Sequence, residues 1–422
     1  MPIQLDQGIE IPIHRLGING EGVGDFEGFT LFVDGALPSE TILGRVTEVR
    51  KNFGRARISK ILKPSPHRVD PICPLFGHCG GCQIMHLHYE KQLEAKRQRV
   101  VDALERIGKL STPVLPCRAS PKPLAYRNKI QLPVKEGKIG LYAKGSHEVI
   151  DVEKCYIHSS LGEKIYSWIR AFPEAHKAKH ILIRTGVNTS EVLVVLVTEE
   201  PFVPDQIPPE VKGIVQCINR SQGNRILGEE FRTLWGRDWI EETLQGLNFR
   251  ISAASFFQVN PFQAENLYSH VVQMAELSGE EIVLDSYCGV GTLALILSKH
   301  AGKVIGVESV PEAIHDAKAN AQRNQIENSE FFCDRAERYI PTLKEVDVAV
   351  VNPPRKGCEP IFLDTLASLA PKTIIYVSCD PATMARDVSF LSEKGYRITE
   401  VQPFDMFPQT SHVECIVQMK SV

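Results

Sequence analysis

The chain has 422 residues, with 48 Lys and Arg against 51 Asp and Glu, a formal net charge of -3 and 11 cysteines. That length implies two or three domains, since single cores rarely grow past about 250 to 300 residues. The balanced charge argues against indiscriminate coating of nucleic acid, and no apolar run approaches the roughly 18 to 20 residues of a membrane helix.

The amino terminus, MPIQLDQGIEIPIHRLG, lacks a cationic start followed by a long apolar core. The protein therefore reads as cytoplasmic, where its cysteines would be thiols rather than a disulfide scaffold. Residues 1–62 alternate apolar and polar positions in IEIPIHRLG, FTLFVDGAL, ETILGRVTEVR and FGRARISKIL, which predicts a small β-barrel. Between Arg45 and Arg68, Arg50, Lys51, Arg55, Arg57, Lys60 and Lys63 add to those two cations against the single acid Glu48. With Val49, Phe53, Ala56 and Ile58 on the other face, Arg50, Arg55 and Arg57 are candidates for an RNA-facing surface of an oligonucleotide-binding barrel. An ordinary solvated strand face has the same pattern.

A proline-punctuated linker, KPSPHRVDPICP, leads to CPLFGHCGGC, which places Cys73, Cys79 and Cys82 in a Gly-rich loop; Cys155 in DVEKCYIH is the nearest fourth thiol. Four sulfurs around one centre mean zinc or an iron–sulfur cluster. One close pair joined by two more distant cysteines favours the cluster over the two short knuckles of structural zinc. Next, Leu93, Val100, Val101, Leu104 and Ile107 recur at helical spacing up to Gly108 and predict a surface helix. From about 126 to 255 KIQLPV, KIGLYA, HILIRTG and EVLVVLVT read as strands, so residues 63–255 are expected to form a central α+β domain. At Asn260-Pro261, a cap with proline at the first helical position, the rhythm becomes strand, loop, helix, and residues 256–422 are expected to form an α/β domain.

In IVLDSYCGVGTLALILSKHAGKVIGVES a strand ends at Asp285, a turn carries Gly289 and Gly291, and a second strand ends at Glu308. Glycines let the backbone approach a ligand, and an acid ending the second strand accepts bonds from ribose hydroxyls. Gly289, Gly291 and Ala294 also satisfy the dinucleotide pattern, so an NAD-dependent oxidoreductase is a competing reading. A third strand running to Asp334 and a fourth ending in Asn352-Pro353-Pro354 favour S-adenosylmethionine instead. Finally, TIIYVSCDPATMARD puts Cys379 at the end of an apolar strand, as a small core residue or as a nucleophile.

Together FVDGALPSE, CPLFGHCGGC, YRNK, FFQVNPFQAE, DSYCGVGTLAL, NPPRKGCE, VSCDPATMARD and HVECIVQM, in this order, make the chain resemble the RNA uracil-C5 methyltransferases, in particular the ribosomal-RNA branch with a TRAM barrel and a four-iron cluster. The resemblance implies an α/β class I methyltransferase domain, with Cys73, Cys79, Cys82 and Cys155 holding a [4Fe-4S] cluster. It assigns Gln258, Tyr287, Glu308 and Asn352 to the S-adenosylmethionine site, where the third strand's end adds Asp334, with Cys379 as nucleophile and Glu414 as base. Many members of the family have aspartate where this chain has Asn352, which keeps an acceptor and loses the charge. Uracil C5 is a poor nucleophile, so a thiolate must first add at C6, and a base must later remove the C5 proton. The target uridine must also leave its stack, for which Tyr126, Arg127, Lys129, Phe256 and Phe257 are candidates. The implied partner is RNA, ribosomal rather than transfer, with no membrane and no obligate protein partner. A monomeric state is expected. An iron–sulfur RNA-binding protein without activity is the third reading.

Overall fold

The computed structural model describes residues 3–221, 223 and 225–422. Strands Gly8–Leu16, Gly22–Phe26, Phe29–Asp34, Thr41–Val49 and Phe53–Lys63 close into a barrel, with the fifth strand inserted between the third and the fourth. The period-2 pattern turns Ile11, Leu31, Val33, Ile42, Val46 and Ala56 inward. At Gly24 a Cβ would lie 2.2 Å from the Pro12 carbonyl oxygen, so only glycine permits this strand contact. The expected basic face is partly neutralised. Glu48 pairs with Arg50 at 2.5 Å and with Arg55 at 3.4 Å, whereas Arg57 is exposed and forms no ion pair among the described residues.

The central sheet has seven strands in the order Glu230–Gly236, Val211–Ile218, Glu191–Val197, His180–Gly186, Lys129–Lys135, Lys138–Tyr142, Val149–Asp151. Helix Ser160–Arg170, capped by Ser159 accepting from the Gly162 amide, packs Ile165, Tyr166 and Ile169 on one face of it. Two segments preceding residue 256 bury their apolar side elsewhere. The hairpin Trp239–Leu244 and Leu247–Ser252 puts Ile240, Leu244 and Phe249 into a core shared with Ala264, Leu267 and Val283.

Helix Tyr89–Ala103, continued by a wider turn Leu104–Gly108, buries Val100, Ala103 and Leu104 against Val388, Leu391 and Val401. It ends at Gly108 as the sequence implies, but its buried face is rotated. Ile107 is 50% exposed while Lys96 is 2% exposed, because the Lys96 ammonium pairs with the buried Asp405 and also donates to the Phe407 carbonyl at 2.9 Å.

The C-terminal sheet runs Ser329–Cys333, Lys303–Glu308, Ile282–Ser286, Val348–Val351, Thr373–Ser378, Glu414–Ser421, Tyr396–Phe404. Its first five strands are parallel, and Glu414–Ser421 inserts antiparallel between Thr373–Ser378 and Tyr396–Phe404. An all-parallel dinucleotide-binding sheet has no such strand. The order reverses on either side of Ile282–Ser286, so ligand-binding crevices open at the carboxyl ends of the neighbouring strands.

Candidate active site

Register brings the nucleophile candidate and the base candidate together. Thr373–Ser378 pairs with Glu414–Ser421 such that Ser378 faces Cys415, and one further step sets Cys379 opposite Glu414. The apolar run TIIYVS is fully buried. Asp380 then ends the strand: its carboxylate caps helix Pro381–Glu393 by accepting from the amides of Ala382 at 2.9 Å and Thr383 at 3.3 Å. Cys379 is left half-buried at the seam.

Glu414 is 3% exposed, and burial pushes its carboxyl up to about 8, opposed by Arg355. Burial likewise raises the Cys379 thiol; the Glu414 carboxylate raises it further and Arg355 pulls it down. His412 is pushed down to about 4 by burial, with Arg355 and Arg99 adding to the effect, so it is neutral at pH 7. Arg99 reaches this neighbourhood from helix Tyr89–Ala103, donating to the Ser411 carbonyl at 2.7 Å. Arg99, Asp380, Pro381 and Ser411 line one wall of a cleft of about 700 Å³ whose opposite wall comes from the barrel, including Arg15, Ile18 and Phe32.

The loop after Val348–Val351, which carries Asn352 and Arg355, is tied to helix Pro381–Glu393. The Thr383 hydroxyl donates to the Arg355 carbonyl at 3.2 Å, and Arg386 donates to the Lys356 and Cys358 carbonyls at 3.1 and 3.3 Å. Buried Asp387 accepts from the Cys358 amide at 2.8 Å and from the Tyr376 hydroxyl at 2.6 Å. Gly357, at φ +75°, lets the loop close onto these groups; a Cβ there would lie 2.6 Å from both Arg386 Nη2 and Asp387 Oδ2.

Beside it, the crevice at Ile282–Ser286 holds polar atoms awaiting partners. Asp285 Oδ2 and Ser286 Oγ are buried without a hydrogen bond among the described residues, and burial pushes Asp285 up to about 7, against the Ala294 amide and with the Glu308 charge. Tyr287 follows at φ +66°, a left-handed conformation that non-glycine residues hold only when their surroundings impose it. At Gly306 a Cβ would meet the Phe331 ring at 2.6 Å. Glu308 binds the Ser309 and Val310 amides through one oxygen, at 2.6 and 3.0 Å, leaving the other free. Asp334 accepts from the Arg335 amide at 2.8 Å. The Asn352 amide donates to the Ser286 carbonyl at 3.4 Å, and Gln258 is buried. Orphaned acceptors and a glycine-lined floor fit a cofactor carrying hydroxyl and amino donors.

The family model of tRNA (uracil-5-)-methyltransferases matches residues 210–422, and that of the TRAM domain matches residues 6–59. The chain belongs to the RNA uracil-C5 methyltransferases. An uncharacterized RNA methyltransferase of Clostridium acetobutylicum is 44% identical over 454 residues, covering 100% of this chain and 99% of its own. One of Clostridium tetani is 41% identical over 448 residues, covering 99% and 97%. The crystal structure of the Pyrococcus abyssi tRNA (uracil-54, C5)-methyltransferase in complex with S-adenosyl-L-homocysteine has a TM-score of 0.79 at 32% identity, covering 97% of this chain and 100% of that chain.

In this uracil-C5 methyltransferase three of the four cysteines expected to hold a metal centre, Cys73, Cys82 and Cys155, pack against one small core of Met85, Tyr126 and Ile157. Cys79 pairs across an isolated bridge with Ala143, and its sulfur accepts from the Gly81 amide at 3.4 Å. Burial raises Cys82 strongly, and Cys155, Cys79 and Cys73 add to it; burial raises Cys155 to about 11. Among the described residues no three His, Cys, Asp or Glu side chains are arranged to hold a single metal ion. Of the aromatics expected at the RNA site, Tyr126 is fully buried with its hydroxyl on the Pro408 carbonyl, and Phe257 is core. Only Phe256 is open, at 65%. Arg355, Arg99 and Asp387 were not singled out by sequence reasoning. Arg355 had a local signal, the cation directly after Asn-Pro-Pro, whereas Arg99 lies 280 residues from Cys379 and had none.

Proposed function

We propose that the protein transfers the methyl group of S-adenosylmethionine to C5 of a uridine in ribosomal RNA, most readily 23S, through a covalent bond between Cys379 and uracil C6. The observation that carries this reading is the placement of Cys379 opposite Glu414, with Arg355 acting on both. Cys379 Sγ, as the thiolate, adds to C6 and leaves electron density on C5. S-adenosylmethionine supplies an electrophilic methyl group. Glu414 then takes the proton from C5, and the electron pair of that bond re-forms the ring double bond as the sulfur leaves. Arg355 offsets the negative charge that passes between sulfur and carboxylate. Gln258, Tyr287, Glu308, Asp334 and Asn352 bind the cofactor in this reading; the free oxygen of Glu308 accepts from ribose, and Asn352 contributes an uncharged acceptor.

The donor set of Cys73, Cys79, Cys82 and Cys155 fits a [4Fe-4S] cluster. Thiolates crowded in a half-buried loop repel one another unless a cationic centre compensates them, and an amide directed at Cys79 sulfur suits a ligated thiolate. A single zinc would draw the sulfurs to about 3.8 Å from one another. The cluster's contribution is to hold the loop, and no step passes through it. The chain divides, in this reading, into an RNA-binding barrel over 1–62, a cluster-bearing domain over 63–255 and a catalytic domain over 256–422, onto whose core helix Tyr89–Ala103 and the hairpin of Trp239–Leu244 and Leu247–Ser252 pack from the middle segment.

The test uses RNA transcripts containing 5-fluorouridine, whose fluorine cannot leave C5 as a cation. Wild-type protein should give a protein–RNA adduct that survives denaturing electrophoresis and carries labelled methyl, with ribosomal transcripts trapped in preference to transfer RNA. Absence of any adduct from either RNA, under conditions where cofactor binds, would reject the covalent route. Trapping by transfer RNA alone would reject the ribosomal assignment.

A further inference from the structure

Lys129 and Arg184 face each other across the antiparallel pair formed by Lys129–Lys135 and His180–Gly186. Two cations directly opposite on one face of a sheet repel. Arg184 is moreover 4% exposed. Its Nη2 donates to the Ser255 carbonyl at 2.5 Å, but Nη1 is buried with no hydrogen-bond partner among the described residues. Arg127 adds a third cation, its Nε donating to the Lys129 carbonyl at 2.9 Å. None of the three has a carboxylate within 4.0 Å among the described residues. Asp316 is the acid whose charge reaches Arg184, and its Oδ2 already accepts from the Ser252 and Ser255 hydroxyls at 2.7 and 2.5 Å. Burial, then Arg184, then Arg127 push the Lys129 ammonium down to about 7.

Burying charge without a counter-charge is costly, and a neutral pair of similar volume at 129 and 184 would fold more easily. The arrangement is balanced if an anion enters. Its surroundings say which kind. The Ser255 carbonyl that orients Arg184 begins the loop carrying the exposed Phe256 ring and then Gln258, whose carbonyl accepts from Asn128 at 3.0 Å. A guanidinium donor beside an open aromatic face is what a splayed-out nucleotide needs, one for the phosphate and the other for a base.

We propose that Arg127, Lys129 and Arg184 form an anion-binding site that takes a phosphodiester of the RNA strand carrying the target uridine, with Phe256 beside it as a stacking face. This inference rests on the reading of the substrate as RNA. The same cations would also accept a carboxylate, which the methionine end of the cofactor could supply, and the two sources are separable.

Full-length wild type, Lys129→Gln and Lys129→Arg are compared in two binding measurements: affinity for an RNA transcript over a range of salt concentrations, and affinity for S-adenosylhomocysteine at fixed salt. Lys129→Gln should lower RNA affinity several-fold and reduce the slope of log affinity against log salt by about one. Lys129→Arg should restore both, and S-adenosylhomocysteine should bind all three equally. Unchanged RNA affinity and slope in Lys129→Gln would overturn the site, and loss of S-adenosylhomocysteine binding with RNA binding intact would overturn the phosphodiester assignment. Should Lys129→Gln lose both through misfolding, Arg127→Gln, at a half-buried position, gives the same reading. If wild type binds RNA yet yields no 5-methyluridine, the functional reading fails, while the salt slope still decides the anion site.

Discussion

At Cys379 two acids compete for one counter-ion. The Glu414 carboxyl, raised to about 8 by burial, must give up its proton before it can accept the one on C5, and while it holds that proton it spares the thiol its repulsion. Arg355 then acts on the thiolate alone. Peptide-resolved alkylation of Cys379 against pH should therefore show a midpoint moved up in Arg355→Gln and down in Glu414→Gln; a midpoint unmoved in both would remove Arg355 and Glu414 from the thiol's environment. Glu414 also couples to stability. Its folded pKa lies above its unfolded value of 4.5, so the folded state keeps a proton that the unfolded chain has lost. Stability is thus fully present below about 4.5 and is lost as pH rises toward 8. Asp285, raised from 3.8 to about 7, slopes the same way. Melting temperature should fall from pH 5 to 8 in wild type and less steeply in Glu414→Gln. In turnover, Cys379→Ala should bind RNA and cofactor without forming an adduct, whereas Glu414→Gln should accumulate a methylated adduct. Methyl transfer by Cys379→Ala at the wild-type rate would sink the mechanism.

The strands show where sequence pattern suffices and where it does not. In the barrel, alternation told inside from outside along Phe53–Lys63, yet the charge of its outer face depends on a neighbouring strand. Glu48 lies in Thr41–Val49, opposite Arg55 in the register, so within a run that reads as strongly basic Arg50 and Arg55 share one carboxylate in place. Arg57 has Asp34 opposite it in the third strand, but Asp34 pairs with Lys144 at 3.1 Å and Arg57 forms no ion pair among the described residues. Replacing Arg57 by Ala should therefore reduce the salt dependence of RNA binding by about one, and Arg50→Ala should reduce it less, because Glu48 is released when Arg50 is removed. Equal effects would mean that the Glu48 pairs do not persist in solution. In the catalytic sheet the strand ends at Asp285, Glu308, Asn352 and Cys379 were all legible, because apolar runs stop abruptly at polar residues. The fixing of the Asn352–Cys358 loop by Arg386 and Asp387 was not, since it depends on helix residues 29 and 30 positions beyond the groups they bind. Asp387→Asn should loosen that loop and raise the alkylation midpoint of Cys379 through Arg355, an effect that loss of fold alone would not reproduce at wild-type melting temperature.

Across the whole molecule the least legible feature is the part played by helix Tyr89–Ala103. Its heptad-like apolar positions announced a helix, but nothing local announced that its buried face would carry a lysine or that this face would join the C-terminal core. The reason lies 309 residues away. Lys96 pairs with Asp405, Asp405 accepts from the Tyr89 hydroxyl at 2.8 Å, and that hydroxyl accepts from the Ser120 amide at 2.9 Å. The segment just beyond Asp405 also receives Asn260 Nδ2 on the Met406 carbonyl and the Tyr126 hydroxyl on the Pro408 carbonyl, then leads into Glu414. Helix, linker and C-terminal sheet therefore converge on the approach to Glu414. Removing one member of a buried pair strands the other's charge, at a cost of about 3 to 5 kcal/mol. Lys96→Met should accordingly lower stability by that amount in denaturant titration. Adding Asp405→Asn, which keeps an acceptor for Tyr89 and deletes the charge, should recover a large part of the loss. Strict additivity of the two substitutions would mean that the pair is uncoupled and that the helix is held by Val100, Ala103 and Leu104 alone.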